Sequence, residues 1–155
     1  EEFIEGPLMR QIKEIGDKFP YHAFALDAVA IEFLGKSLAE KEPWGQQNTS
    51  KRDFTRAIKE LFPPKYYPLS GFLYDELRCG VLHFFGPKPH VVLGRKKEIS
   101  KKYHLTTTSE GELILVFEEL HKDFENAAEK VIKKKLPKLK NDFLETDRKI
   151  SKRRK

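Results

Sequence analysis

The sequence predicts a mainly α-helical fold, an up-down bundle of about five helices with a small β-hairpin insert. Two observations lead to this fold class. Apolar residues recur at helical spacing in five segments, and two short apolar runs rich in β-branched residues lie at residues 90–93 and 113–117. The chain has 155 residues, of which 39% are hydrophobic, and this is enough for one core. We expect a single helical domain over residues 1–136 and a basic tail over residues 137–155.

The first half of the chain predicts three helices. The first covers residues 5–18 and stops before Phe19-Pro20, and the second covers residues 21–40. The second has the widest apolar stripe, and its small residues, Gly35 among them, would allow another helix to approach closely. We therefore expect it to be the central core helix. A third helix follows over residues 50–62, with Thr49 or Ser50 as its N-cap.

The second half predicts two more helices and the β insert. One helix covers residues 71–85, with Ser70 as its N-cap, and Gly86-Pro87 ends it. Residues 109–111 are typical of a turn between the two β-branched runs, which favours an antiparallel hairpin. The final helix covers residues 118–136 and is interrupted by Pro137. Segments without helical periodicity are predicted to be loops or linkers, namely residues 41–50 and 65–68.

Charge is distributed unevenly along the chain. The net charge is +6, yet residues 130–155 carry twelve Lys and Arg against three acidic residues, so the rest of the chain is slightly acidic. Such a tail is either a solvated helix end or an electrostatic arm for RNA or DNA phosphates. Both interpretations remain open from the sequence.

Several protein classes are excluded. No apolar run approaches the ~18 residues of a membrane-spanning helix, and the N-terminal residues lack the pattern of a signal peptide. The lone Cys79 rules out an intrachain disulfide and fits a reducing compartment. We expect a cytoplasmic protein without membrane association.

The segment with the clearest chemical character lies in the fourth predicted helix. Asp75, Glu76, Arg78 and His83 place acidic groups, a permanent cation and a titratable imidazole within about two turns. Gly80 lies between Arg78 and His83. Because a glycine inside a helix costs ~1 kcal/mol of stability relative to Ala, a packing or functional reason for Gly80 is expected.

This Arg-x4-His segment, with Gly inside it and in the C-terminal part of a bundle helix, resembles the signature of the HEPN superfamily. The helix order and the β element before a long last helix are also similar to small prokaryotic members, over about residues 5–135. The resemblance implies a metal-independent endoribonuclease, commonly a homodimer whose Arg/His pairs line one cleft. It also suggests a role in defence or a toxin–antitoxin system, with RNA and an antitoxin or other protein as partners.

The chemistry of the two residues agrees with this expectation. His83 can exchange a proton with the ribose 2′-OH or the leaving 5′-oxygen near neutral pH, and Arg78 can hold the scissile phosphate bidentately. Asp75, Glu76 and Cys79 are candidate supporting residues. At Cys79, catalytic relatives usually have a polar residue, often Asn, and a thiol forms only weak hydrogen bonds.

Other residues are candidates for nucleic-acid binding. Aromatic rings can stack on bases, and lysines and arginines can contact phosphates. The alternative is that the tyrosines anchor a loop and the lysines are merely solvated. The candidates are Tyr66, Tyr67, Arg95, Lys96, Lys97, Lys101 and Lys102.

The same motif also permits structural interpretations. Arg78 could pair with Asp75 three residues earlier, and His83 could be a packed core histidine beside apolar neighbours. His90, His104 and His121 show no recognised metal-ligand spacing, so we expect neither a metal nor a cofactor. A non-catalytic helical module for dimerisation or partner binding is therefore the alternative function.

Overall fold

The structure is a computed structural model that describes residues 9–39, 47–84 and 87–133. Its architecture is mainly α-helical with one small sheet, which confirms the predicted fold class. The helices in this part of the chain are α1 (Ile12–Lys18), α2 (Pro20–Ser37), α3 (Ser50–Leu61), α4 (residues 70–84) and α5 (residues 117–133). One hydrophobic core cluster takes side chains from all five helices and both strands.

Helices α1 and α2 meet at Phe19, which adopts non-helical backbone angles and separates them. Pro20 then occupies the first position of α2, where its missing N–H removes no intrahelical hydrogen bond. The break between the two helices therefore lies where the sequence predicts it, although α2 ends at Ser37 and α1 is preceded by a turn of π-helix at residues 9–11.

Gly35 sets the contact between α2 and α3. A Cβ atom at this position would lie 1.7 Å from the backbone oxygen of Asp53, so only glycine allows the two helices to pack at this distance. The prediction that small residues of α2 admit a close helix neighbour is confirmed here. The same contact fixes the N-terminal half of α3 against the C-terminal end of α2.

The segment between α3 and α4 is ordered as a 3-10 helix, Pro64–Leu69, rather than as an extended linker. Helix α4 then begins at Ser70 itself, so Ser70 is its first residue and not its N-cap. Its middle is a π-helical turn, Leu73–Arg78, between α-helical segments Ser70–Phe72 and Cys79–Phe84. Single π turns inside α-helices occur frequently at functional sites.

The predicted β-hairpin is wrong in its strand direction. Strands β1 (Val91–Gly94) and β2 (Leu113–Val116) pair in parallel, with Val91 opposite Leu113. The connection of residues 95–112 first makes a 3-10 turn, Lys101–Tyr103, and then doubles back, because an isolated antiparallel bridge joins Thr107 to Leu113. This detour reverses the chain once more than a hairpin would, and so the second strand enters in the direction of the first.

The loop residue Trp44, Pro137 and the basic tail of residues 137–155 lie outside the described residues. Within residues 9–39, 47–84 and 87–133, no helix combines the length and the apolar character needed to cross a membrane.

Candidate active site

Arg78 ends the π turn of α4 and is held by Glu32 of α2. The Oε2 atom of Glu32 accepts a hydrogen bond from Nε of Arg78 at 2.8 Å and forms an ion pair with Nη2, also at 2.8 Å. Both side chains are mostly buried, with exposed fractions of 17% and 22%. Glu32 lies along one edge of the guanidinium, and among the described residues nothing accepts a hydrogen bond from Nη1, so its donors are left for another acceptor.

Tyr74 lies beneath the same guanidinium and links it to α3. The Arg78 Cζ atom is 5.5 Å from the centroid of the Tyr74 ring, and Lys51 Nζ is 5.7 Å from it. Lys51 also donates to Asp75 at 2.7 Å, and this hydrogen bond raises the pKa of Lys51. Tyr74 therefore has two cationic neighbours, one from its own helix and one from α3.

The predicted supporting residues Glu76 and Cys79 lie in different surroundings. Cys79 is a half-buried free thiol. Burial raises the pKa of the Tyr74 phenol, and Cys79, which shares a hydrogen bond with it, raises it further. Glu76 has a buried Oε2 atom with no hydrogen-bond partner among the described residues, and nothing joins this carboxylate to Arg78.

His83 is exposed to solvent on the C-terminal segment of α4. The interpretation of His83 as a packed core histidine is therefore wrong. The local pair of Arg78 with Asp75 is also absent, since Asp75 binds Lys51 and Arg78 binds Glu32. The motif thus presents one fixed guanidinium and one accessible imidazole.

Tyr66 is not available to a nucleic-acid base, because its side chain is fully buried. Its hydroxyl donates to Asp123 at 2.8 Å and lies 2.7 Å from His104 Nε2. The prediction that Tyr66 contacts nucleic acid is therefore wrong, and the two adjacent tyrosines differ in exposure. Tyr66 anchors the 3-10 helix in the core, and Tyr67 remains 38% exposed.

Arg95 is likewise engaged inside the protein. Its guanidinium pairs with Glu118 and Asp17, each at 3.3 Å, and only 13% of the side chain is exposed. Lys96 is more exposed but pairs with Glu119 at 2.8 Å. Of the predicted phosphate contacts, all four lysines of the insert are exposed, namely Lys96, Lys97, Lys101 and Lys102.

His104 belongs to a partly buried hydrogen-bond network that the sequence did not reveal. Its Nδ1 accepts the backbone N–H of Val116 at 3.1 Å, which leaves the proton of the neutral ring on Nε2, facing Tyr66. Burial lowers the pKa of His104 to about 4, and the positive charge of Lys65 acts in the same direction. His104 is thus a neutral residue that joins the insert to the 3-10 helix.

A second buried pair joins α2 to α5. Asp27 is fully buried, and its carboxylate lies 2.9 Å from His121 Nδ1. Burial raises the pKa of Asp27 to about 6, against the opposing effect of His121. For His121, burial favours the neutral ring, but the hydrogen bond and charge of Asp27 outweigh it and raise the pKa.

The histidines therefore occupy separate environments. Among the residues that the structure describes, no group of three or more His, Cys, Asp or Glu is arranged to hold a metal ion.

Sequence reasoning missed Glu32, Lys51 and Tyr74. A signal for Glu32 existed, since Asp27 and Glu32 are the only acidic residues of α2 and both bind a cationic or titratable partner. Nothing in the spacing of Lys51 marked it, because its neighbours Tyr74 and Asp75 lie more than twenty positions away.

Comparison with known proteins adds no family assignment, since no family model, curated protein or solved structure matches this chain.

Proposed function

We propose that this chain is a metal-independent endoribonuclease of the HEPN type, with Arg78 and His83 as its catalytic residues. The observation that carries the proposal is the guanidinium of Arg78, which Glu32 holds by one edge, while no residue in the described part of the chain accepts from Nη1. A planar fork held in this way is suited to a phosphate. The accessible imidazole of His83 on the same helix supplies the proton-transfer group.

The proposed reaction is internal attack by the RNA. The ribose 2′-oxygen forms a bond to phosphorus, the bond from phosphorus to the 5′-oxygen breaks, and a 2′,3′-cyclic phosphate remains. One imidazole accepts the 2′-OH proton, and the 5′-oxygen leaves with a proton from an imidazolium. Arg78 stabilises the charge on the phosphoryl oxygens. Because the nucleophile is the 2′-OH, RNA is cut and DNA is not.

Two imidazoles are available if the protein is a homodimer, and the surface beside His83 favours one. The apolar face, defined as Phe19, Leu26, Val29 and Leu82, exposes between 39% and 58% of each residue. It borders a groove of about 560 Å³ between α1, α2 and α4. Since Leu82 directly precedes His83, a two-fold contact through this face would bring the histidines of both protomers to one cleft.

Gly80, for which the sequence predicts a packing or functional reason, is buried within the chain. The residue of α4 that supports the dimer is therefore the exposed Leu82 and not Gly80.

The cellular setting is part of the same proposal. We place the protein in the cytoplasm, in a defence or toxin–antitoxin role, because the free thiol of Cys79 fits a reducing compartment and the resemblance implies that role.

The alternative function is a non-catalytic dimerisation or partner-binding module. The observation that favours it is the apolar face itself, together with the ion pair that already engages Arg78.

Cleavage of labelled RNA in EDTA tests the catalytic proposal. We expect wild-type protein to leave 2′,3′-cyclic phosphate ends and His83→Ala to be ~10²–10⁴-fold slower, because proton transfer is lost. Arg78→Lys should also impair cleavage, since a point charge does not replace a planar fork. His90→Ala, which removes another exposed histidine, is the control. Equal rates for folded His83→Ala and wild type would refute the assignment.

Cys79→Asn tests the departure from the family pattern. Asn is a stronger hydrogen-bonding residue than Cys, so we expect faster cleavage if the thiol limits this site. A rate unchanged from wild type would show that the thiol does not limit cleavage.

Sedimentation at tens of micromolar protein tests the dimer. Wild type should sediment as a dimer and Val29→Glu as a folded monomer, because a charge in the centre of a C2 contact is repeated in both copies. Monomeric wild type at this concentration would contradict the dimer and would leave the His83 imidazole of one protomer for both proton transfers.

A further inference from the structure

We propose that Lys51 and Tyr74 extend the phosphate-binding site, so that Lys51 binds the RNA phosphate next to the one held by Arg78. This inference rests on the proposed function and names a residue of α3 that the motif on α4 does not contain. Lys51 would set where a strand lies across the site, without any role in proton transfer.

The first support is the position of the two cations. Lys51 Nζ lies 5.7 Å and Arg78 Cζ lies 5.5 Å from the centroid of the same Tyr74 ring, so the two cations are within about 11 Å of each other. Tyr74 is itself fixed, because it packs edge-on against the core residue Phe54 with 5.8 Å between ring centroids. The ring therefore holds both cations at the edge between α3 and α4.

The second support is the contrast between their ion pairs. The Arg78–Glu32 pair is mostly buried, and two guanidinium nitrogens lie 2.8 Å from one carboxylate oxygen, so the pair orients the guanidinium. Lys51 and Asp75 form an exposed pair, with exposed fractions of 56% and 46%. Exposed pairs contribute little to stability, and an arriving phosphate can take the place of Asp75 at low cost. Asp75 then acts as an internal competitor that keeps Lys51 oriented in the absence of RNA.

Binding of RNA to the His83→Ala protein in EDTA tests this subsite, because we expect this variant to bind RNA and to cut it ~10²–10⁴-fold more slowly. The probe is a labelled single-stranded RNA of about ten nucleotides. For Lys51→Ala in this background, we expect affinity about fivefold lower at about 0.1 M salt and a plot of log affinity against log salt that is shallower by about 0.7, the contribution of one phosphate contact. Lys59→Ala, an exposed lysine further along α3, is the matched control and should change neither quantity.

Asp75→Asn tests the competitor role, and this variant should increase RNA affinity where Lys51→Ala decreases it. Without the carboxylate, Lys51 is released to the phosphate, so affinity should rise by up to about fivefold, the range expected from an exposed ion pair. Asp75→Asn is also a second test of the subsite, so the subsite can still be tested if Lys51→Ala alters folding.

The outcomes separate this inference from the proposed function. If Lys51→Ala binds as the Lys59→Ala control does, if Asp75→Asn binds no more tightly, or if the His83→Ala protein does not bind the probe, the subsite is overturned, whatever the cleavage assay shows. If Lys51 contributes as expected but wild type never cuts RNA, the subsite stands as part of a binding protein and the catalytic proposal fails.

Discussion

Arg78 obtains its orientation from residues that lie elsewhere in the chain. Glu32 binds the Nε and Nη2 edge, and the Tyr74 ring lies against the guanidinium. An arginine constrained on an edge and a face loses little conformational entropy when it binds a phosphate, whereas a solvated arginine would lose most of its rotamers. Glu32 is therefore a positioning residue for the proposed reaction.

Substitution of Glu32 tests this role at the residue scale. We expect Glu32→Ala to lower kcat for RNA cleavage by about 10–100-fold, since small misplacements of a positioned group are costly. Glu32→Gln keeps an acceptor for the Arg78 donors and should retain more activity than Glu32→Ala. Steady-state kinetics on one RNA substrate measures both.

Glu60→Gln, a change at an exposed glutamate of α3, is the control for charge alone. If Glu32→Ala is folded and as active as this control, Arg78 does not need its partner.

At the scale of elements, the contact between α2 and α3 places Lys51 near α4. The backbone of Asp53 lies directly against Gly35, only two positions from Lys51. A wider separation of the helices would move Lys51 away from Tyr74 and Asp75. The small residue in α2 thus contributes to the site through packing and not through its own chemistry.

Gly35→Ala should lower the free energy of unfolding by about 2–4 kcal/mol, because the added methyl meets backbone that cannot rotate away. The matched substitution Gly71→Ala lies on a helix with open space around it and should raise that free energy by about 0.5–1 kcal/mol. Urea unfolding of both variants measures the difference. Similar effects of the two substitutions would mean that the helices separate at little cost.

At the scale of the whole molecule, the partly buried His104 and the buried Asp27 respond to pH in opposite directions. His104 is neutral in the fold and joins the insert to the 3-10 helix, and its pKa falls from 6.5 to about 4. Asp27 joins α2 to α5, and its pKa rises from 3.8 to about 6. A lowered pKa gives stability that is lost on acidification, and a raised pKa gives stability that is lost as pH increases.

This opposition predicts the pH dependence of two variants. Between about pH 4 and 6.5, the stability of wild type relative to His104→Asn should increase with pH, by on the order of 3 kcal/mol in total. Between about pH 4 and 6, the stability of wild type relative to Asp27→Asn should decrease with pH. Denaturant unfolding at a series of pH values gives both differences. Parallel curves for wild type and His104→Asn would contradict a partly buried His104 imidazole that is neutral in the fold.

The sequence by itself determined the helices and the candidate catalytic pair. Hydrophobic periodicity is local, so it located the five helices and the break at Phe19-Pro20, and the close approach at Gly35 followed from residue size. Arg78 and His83 are five positions apart on one helix, and so a local motif was enough to select them.

Only the tertiary structure decided which groups meet across the chain. The parallel direction of the two strands depends on the path of residues 95–112, which has no periodic signature. Tyr66 and Tyr67 are adjacent and alike, yet one is buried and the other is exposed. Glu32 and Lys51 reach α4 from 46 and 24 positions away. Such contacts depend on helix packing, whereas local sequence patterns report only on neighbours within a few turns.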